Sequence, residues 1–192
     1  MSIHSHFKLY KPYGYISQML SNDPRQAKRK KFLSDIYKFP EGTMAIGRLD
    51  EHSEGLILLT TDGKLSDTVN RSGIEKEYYA QIDGTISEEA LKALREGVSI
   101  GIDGSKYDTK PCKVKHLEEE PMLPPRAKKI RDARHGPTSW ISITITEGRY
   151  RQVRKMTSAV GFPTLRLVRI RIGSQTINDL EPSQVLKIQK VL

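Results

Sequence analysis

The chain has 192 residues, with 32 Lys and Arg against 23 Asp and Glu, a formal net charge of +9, and 36% hydrophobic residues. That length supports one domain or two closely packed lobes, and the basic excess selects a polyanionic partner, nucleic acid or an anionic surface. One cysteine, Cys112, excludes an internal disulfide framework and a cysteine-rich zinc site. No apolar run approaches a membrane span and the N-terminus lacks a signal peptide's apolar region, so a reducing, cytoplasmic setting is expected.

Residues 6–20 open with an aromatic-rich alternating segment broken at Lys11-Pro12-Tyr13-Gly14, which predicts a strand, a turn and a second short strand. Arg25 to Lys31 holds five basic residues in seven and leads into Phe32, Leu33, Ile36 and Tyr37 at helical spacing. A solvated helix start and a phosphate contact both fit this charge run. Thr43 to Gly47 reads as a strand feeding the loop Arg48-Leu49-Asp50. Leu56 to Leu59 has no polar break and reads as a strand buried on both faces.

Asp62-Gly63 marks a turn before a short helix over 64–70. Glu75 to Gly84 is predicted as a strand with Tyr78, Ala80 and Ile82 on one face. Ser87 is a good N-cap for a helix running to Glu96, and Gly97 suits its C-terminal stop. Gly101 to Val114 reads as hairpin material, and 118–127 as a surface connection. Arg126 to Arg134 has five basic residues in nine. Trp140 to Thr146 alternates as a half-buried antiparallel strand. Glu147-Gly148 turns the chain into a helix over 150–160, with Val153, Met156 and Val160 as its apolar stripe. Leu165 to Ile172 is a last long strand in which Leu165 and Leu167 share parity with Arg169 and Arg171, the mark of a bulge or a change of surroundings. Strands outnumber helices and come as hairpins, so the expected class is α+β with a mainly antiparallel or mixed sheet and flanking helices.

Two stretches carry chemistry. Asp50 stands on a tight loop before a buried strand, where a charge is expensive unless it is paired. A loop cap or a partner for Arg48 is the commoner role for such a residue. The neighbours His52 and Ser53 do not make a hydrolase triad, because triad members converge from separate elements and no Gly-x-Ser-x-Gly elbow is present. The second stretch, Arg149-Tyr150-Arg151-Gln152-Val153-Arg154-Lys155, puts four cations at a helix start, against the helix dipole at about 0.3–1 kcal/mol each. An anion bound there would reconcile them, with Arg151, Arg154 and Lys155 on the face opposite the apolar stripe. Tyr78, near the start of its strand, either packs in the core or stacks on a nucleobase.

Gly47-Arg48-Leu49-Asp50 followed by Ser53-x-Gly55-Leu56-Ile57-Leu58-Leu59-Thr60 resembles the catalytic motif of RNA pseudouridine synthases of the RsuA-type branch. Lys11-Pro12-x-Gly14, Lys76-x-Tyr78, Glu147-Gly148-Arg149-x-Arg151-Gln152-Val153-Arg154-Lys155-Met156 and Leu167-x-Arg169-x-x-x-Gly173 resemble that family's other motifs, in the right order, over residues 7 to 173. Arg151 departs from the pattern, since many members carry histidine there. Leu123-Pro124-Pro125-Arg126, Pro137-Thr138-x-Trp140 and Gly161-x-Pro163-Thr164-Leu165-Arg166-Leu167 narrow the resemblance to members that act on large-subunit ribosomal RNA.

The resemblance implies a pseudouridine synthase fold around a central catalytic cleft, with no S4 domain ahead of it. It implies a single catalytic domain of two lobes, about 1–74 and 75–192. It implies attack by Asp50 on the ribose C1′ or the base C6 of a uridine, without metal or organic cofactor. Arg154 would pair with Asp50, Tyr78 would stack on the base or take its C5 proton, Arg48 would fill the gap left by the flipped nucleotide, and Leu167 would pack beneath the base. Lys11, Lys76, Arg149, Arg151, Lys155 and Arg169 complete the expected contacts to substrate and RNA. The partner is large-subunit rRNA, with no membrane, no required protein partner, and a monomeric chain. A non-catalytic RNA-binding protein with the same fold would also explain the charge, but not a carboxylate in the middle of a cationic surface.

Overall fold

In the computed structural model, residues 4–178 and 180–191 are described. The elements in chain order are β1 (His6–Lys11), α1 (Pro24–Arg29), β2 (Met44–Ile46), β3 (Glu54–Thr60), α2 (Gly63–Arg71), β4 (Lys76–Asp83) and α3 (Glu88–Glu96). They continue with β5 (Ser99–Ile102), β6 (Ser105–Asp108), β7 (Lys113–Leu117), β8 (Thr138–Ile145), α4 (Gln152–Ala159), β9 (Thr164–Ile172), β10 (Gln175–Thr176) and β11 (Val185–Ile188). The class is α+β, and the pairings within β1–β3, β1–β11, β2–β3, β4–β8, β7–β8, β5–β6 and β9–β10 are all antiparallel. The chain divides into two compact units, the first holding the described residues of 1–74, 124–127 and 169–192, the second 75–123 and 128–168.

In the first unit, β1 lies between β11 and β3, with Leu9 opposite Val185 on one side and Ile57 on the other. Every residue of β3 is buried, as its unbroken apolar run demands, and α2 packs against β2 and β3. Asp62 caps α2 by accepting from Lys64 N at 3.0 Å and Leu65 N at 3.1 Å. The expected second strand after the Lys11–Gly14 turn is absent. Tyr15 makes an isolated parallel bridge to Lys31, supported by Ile16 N donating to the Lys31 carbonyl at 2.9 Å, while Ser17 turns its hydroxyl to Leu49. The helix expected over the basic run and Phe32–Tyr37 is two short pieces, α1 and a 3₁₀ turn at Leu33–Asp35, since Phe32 leaves the helical path to put Phe32 and Leu33 in the core. β10 and β11 have no comparable sequence signal, being two and four residues long.

In the second unit, β8 runs between β4 and β7, with Tyr78 opposite Ile143. β8 is buried on both faces, not half-buried. Ser139 and Ser142 lie on opposite faces, and Ser142 Oγ donates to Glu77 at 2.8 Å and Ser139 Oγ to the Gly84 carbonyl at 2.8 Å, so their burial leaves no unmet hydroxyl. Ser87 caps α3, accepting from Ala90 N at 3.2 Å. Gly97 ends it at φ 102°, where a Cβ would overlap the Thr109 backbone. The β5–β6 hairpin packs on α4. β9 begins in the second unit and passes into the first between Val168 and Arg169. The broken alternation read from its sequence is therefore a change of surroundings.

Candidate active site

The Asp50 loop is fixed from several directions within the first unit. Ser17 clamps the preceding residue, donating to the Leu49 carbonyl at 2.7 Å and accepting from Leu49 N at 2.9 Å. Ser53 N donates to the Asp50 carbonyl at 3.1 Å, closing a turn, and Gly14 N donates to the Glu51 carbonyl at 2.8 Å. The Lys30 ammonium holds the Glu51 carboxylate at 2.5 Å. His52 stacks on Tyr13 with ring centroids 5.3 Å apart and planes at 14°, and the Arg126 guanidinium lies 4.2 Å above the same Tyr13 ring. Arg126 also pairs with Glu54 at 3.4 Å. A catalytic group must be held close to its working geometry by residues that are themselves fixed, and this loop meets that condition.

The first unit also encloses two cations. Lys11 is fully buried, its ammonium donating to the Tyr15 carbonyl at 2.7 Å and the Pro12 carbonyl at 3.1 Å. Burial pushes its pKa down to about 7, against the pull of the Asp50 and Glu54 carboxylates. Arg169 is equally enclosed and donates from Nε to the Leu56 carbonyl at 2.8 Å. Lys11 and Arg169 are thus two enclosed cations of the first unit, Lys11 within electrostatic reach of Asp50, while Arg48 is exposed.

The second unit carries the other expected residues. Tyr78 is buried on β4, and Leu167 on β9. Lys76 starts β4, half-buried. Arg154, on α4, donates to the Thr164 carbonyl at 3.3 Å. α4 starts only at Gln152, because Arg151 adopts a left-handed backbone conformation, φ 52°. Arg151 therefore does not share a helical face with Arg154 and Lys155, a correction to the sequence reading. Lys155 donates to the Gly101 carbonyl at 2.7 Å, tying α4 to the β5–β6 hairpin.

The same hairpin supports the turn before α4. The Glu147 carboxylate accepts from Tyr107 OH at 2.5 Å, Lys110 N at 2.9 Å and Gln152 Nε2 at 2.5 Å. Gln152 Oε1 accepts from Arg149 N at 3.0 Å, and the Arg149 guanidinium lies 4.6 Å above the Tyr107 ring. Two opposite charges on one turn are thus sorted: Glu147 faces inward and Arg149 outward.

Sequence reasoning missed Ser17, Tyr13, His52 as an aromatic support, Glu147 as an anchor, and the pairing of Arg126. The last had a faint signal, an arginine closing a proline-rich stretch. Among the described residues, no group of three or more His, Cys, Asp or Glu side chains is placed to hold a metal ion, and no helix is long and apolar enough to cross a membrane.

Residues 5–159 match the family model described as RNA pseudouridylate synthase, and the chain belongs to that family. It is 43% identical over 176 residues to "Ribosomal large subunit pseudouridine synthase E" of Xanthomonas axonopodis pv. citri, covering 91% of this chain and 88% of the relative. The protein of the same name in Vibrio parahaemolyticus is 44% identical over 181 residues, covering 93% of this chain and 71% of that one. A pseudouridylate synthase of known crystal structure, 26% identical, superposes with a TM-score of 0.77, covering 98% of this chain and 71% of the other.

Proposed function

We propose that this chain converts one specific uridine of large-subunit, 23S-type ribosomal RNA to pseudouridine, as a cytoplasmic monomer that needs no cofactor, metal or protein partner, its two units acting as one catalytic domain. The observation that carries this reading is the Asp50 loop: a carboxylate on backbone held by Ser17, Gly14 and the Tyr13–His52 stack, within electrostatic reach of the buried Lys11 ammonium. The names of the relatives at 43% and 44% identity support the choice of RNA.

In this reading Asp50 is the nucleophile, attacking the ribose C1′ or C6 of the base. The N1–C1′ bond breaks, the uracil turns, the C5–C1′ bond forms, the bond to Asp50 breaks to return its carboxylate, C5 loses its proton and N1 gains one, so the reaction is an isomerisation with no other reactant. A uridine in a helix must leave the stack to reach an aspartate. Arg48, exposed at the rim of the loop, fills the vacated position. Tyr78 stacks on the uracil and takes the C5 proton, Leu167 packs beneath the base, and Arg154 balances the Asp50 charge. Lys76, Arg149, Arg151 and Lys155 attract phosphate, while Lys11 and Arg169, being enclosed, act by holding Asp50 ionised and in place.

Tritium release from large-subunit rRNA labelled at uridine C5 tests the reading. The wild-type chain releases tritium, Asp50→Asn releases none, and Arg154→Leu releases it more slowly. An Asp50→Asn rate equal to wild type would overturn the role of Asp50. Pseudouridine mapping in cells with and without the protein identifies the nucleotide, and an unchanged map removes the rRNA assignment.

A further inference from the structure

α1 is a helix that buries nothing. None of its six residues is buried, none in its first turn is acidic, and Lys28 and Arg29 close its last turn. Isolated helices below about 12–15 residues are marginal in water, and a helix without a packed face needs other ties. Here the ties lie at its ends. Asp23 caps it by accepting from Arg25 N at 2.9 Å, Pro24 opens the first turn, and Lys30 N closes onto the Gln26 carbonyl at 2.9 Å. Just beyond, Ile16 N donates to the Lys31 carbonyl and Leu33 N to the Gln18 carbonyl, each at 2.9 Å. Lys30 itself holds Glu51 at 2.5 Å. The chain thus anchors both ends and leaves the flank open.

That flank is cationic by design of its spacing. Arg25, Lys28 and Arg29 stand at i, i+3 and i+4, so they share one face. All three are exposed, and none has an ion-pair partner among the described residues. Like charges at these spacings repel, and no ion pair among the described residues offsets that cost. A row of phosphates would. The geometry points to the α1 flank as a docking surface for the RNA phosphates that neighbour the target uridine. The link to the target is the Lys30–Glu51 pair, since Glu51 follows Asp50 directly and Lys30 caps α1. This assignment rests on Asp50 acting on RNA as proposed above.

Each phosphate contact contributes about 0.7–0.9 to the slope of log affinity against log salt. Removing three cations that each hold a phosphate should therefore flatten the slope by about 2–3. The probe is an unmodified transcript of large-subunit rRNA, and the variants are Arg25→Gln/Lys28→Gln/Arg29→Gln and a control, Lys38→Gln/Lys187→Gln/Lys190→Gln, which removes the same charge from exposed lysines elsewhere in the first unit. The α1 variant should show the flatter slope and a raised KM with kcat unchanged, and the control should keep a slope within about one unit of wild type. An unchanged slope in the α1 variant, or an equal loss in both variants, overturns the proposal. Tritium release by the wild-type chain reports separately on the reaction: its absence removes the proposed function, while the slope comparison still reports on α1.

Discussion

The Arg126 guanidinium lies 3.4 Å from the Glu54 carboxylate, with the two side chains only 11% and 4% exposed. Glu54 opens the buried strand β3, four residues after Asp50, and Arg126 comes from the proline-rich stretch that its composition alone would leave on the surface. A buried carboxylate is costly without its cation, so the pair fixes the 124–127 segment to the first unit.

Arg126→Met should lower unfolding free energy by about 3 kcal/mol, because it leaves Glu54 buried with less compensation. The double variant Arg126→Met/Glu54→Gln should recover part of that loss. Urea titration of the single and double variants measures the coupling. Equal destabilisation by Arg126→Met with and without Glu54→Gln would mean that packing on Tyr13, not charge, is what Arg126 supplies.

Lys11 gives stability a defined pH dependence. Its pKa when folded, about 7, lies below its ordinary value of 10.5. Between the two, the unfolded chain binds more protons, so stability rises with pH through that window; below pH 7 the burial cost is fully present. From pH 7.5 to 9.5 this residue alone should add about 2 kcal/mol. Lys11→Met should lose that rise, which chemical denaturation at the two pH values would detect as a flatter profile.

Gly55 sits in β3 at φ 109°, and a Cβ there would overlap the Arg169 backbone. Both a strained backbone and a displaced neighbouring chain follow from any side chain. Gly55→Ala should therefore destabilise by more than about 3 kcal/mol, well beyond a Gly→Ala change at an open site such as Gly101, where no atom lies within 4 Å. Thermal unfolding of the two variants side by side separates the local clash from a general effect.

Cys112 should be chemically quiet. Burial, then Glu147, pushes its thiol pKa up to about 11, and Sγ donates to the Leu94 carbonyl at 3.1 Å. The nucleophilic thiolate is therefore scarce at pH 7. Iodoacetamide should label the native chain far more slowly than the urea-unfolded one, and Cys112→Ser should keep full tritium release. Fast native labelling would contradict the placement of this thiol.

Local chemistry was legible where one stretch of chain settles it. The unbroken apolar run declared β3, Asp62 and Ser87 announced the starts of α2 and α3, and period-two alternation put Tyr78, Ala80 and Ile82 on one buried face. Where local signals competed, the reading slipped. Helical spacing at Phe32–Tyr37 lost to the need to bury Phe32 and Leu33, and the cations at Arg149–Lys155 concealed the left-handed residue Arg151 that delays α4.

The sequence by itself determined the α+β class, the loop that carries Asp50 and the chain's own basic charge, which calls for a polyanionic partner, because each depends on residues close together in the chain or on composition. Only the tertiary structure decided what braces that loop. Ser17 reaches Leu49 across 32 positions, Arg126 reaches Glu54 across 72, and Arg169 reaches Leu56 across 113. Such contacts depend on which strands pair, and strand pairing is set by the whole buried core, so no local pattern announces them.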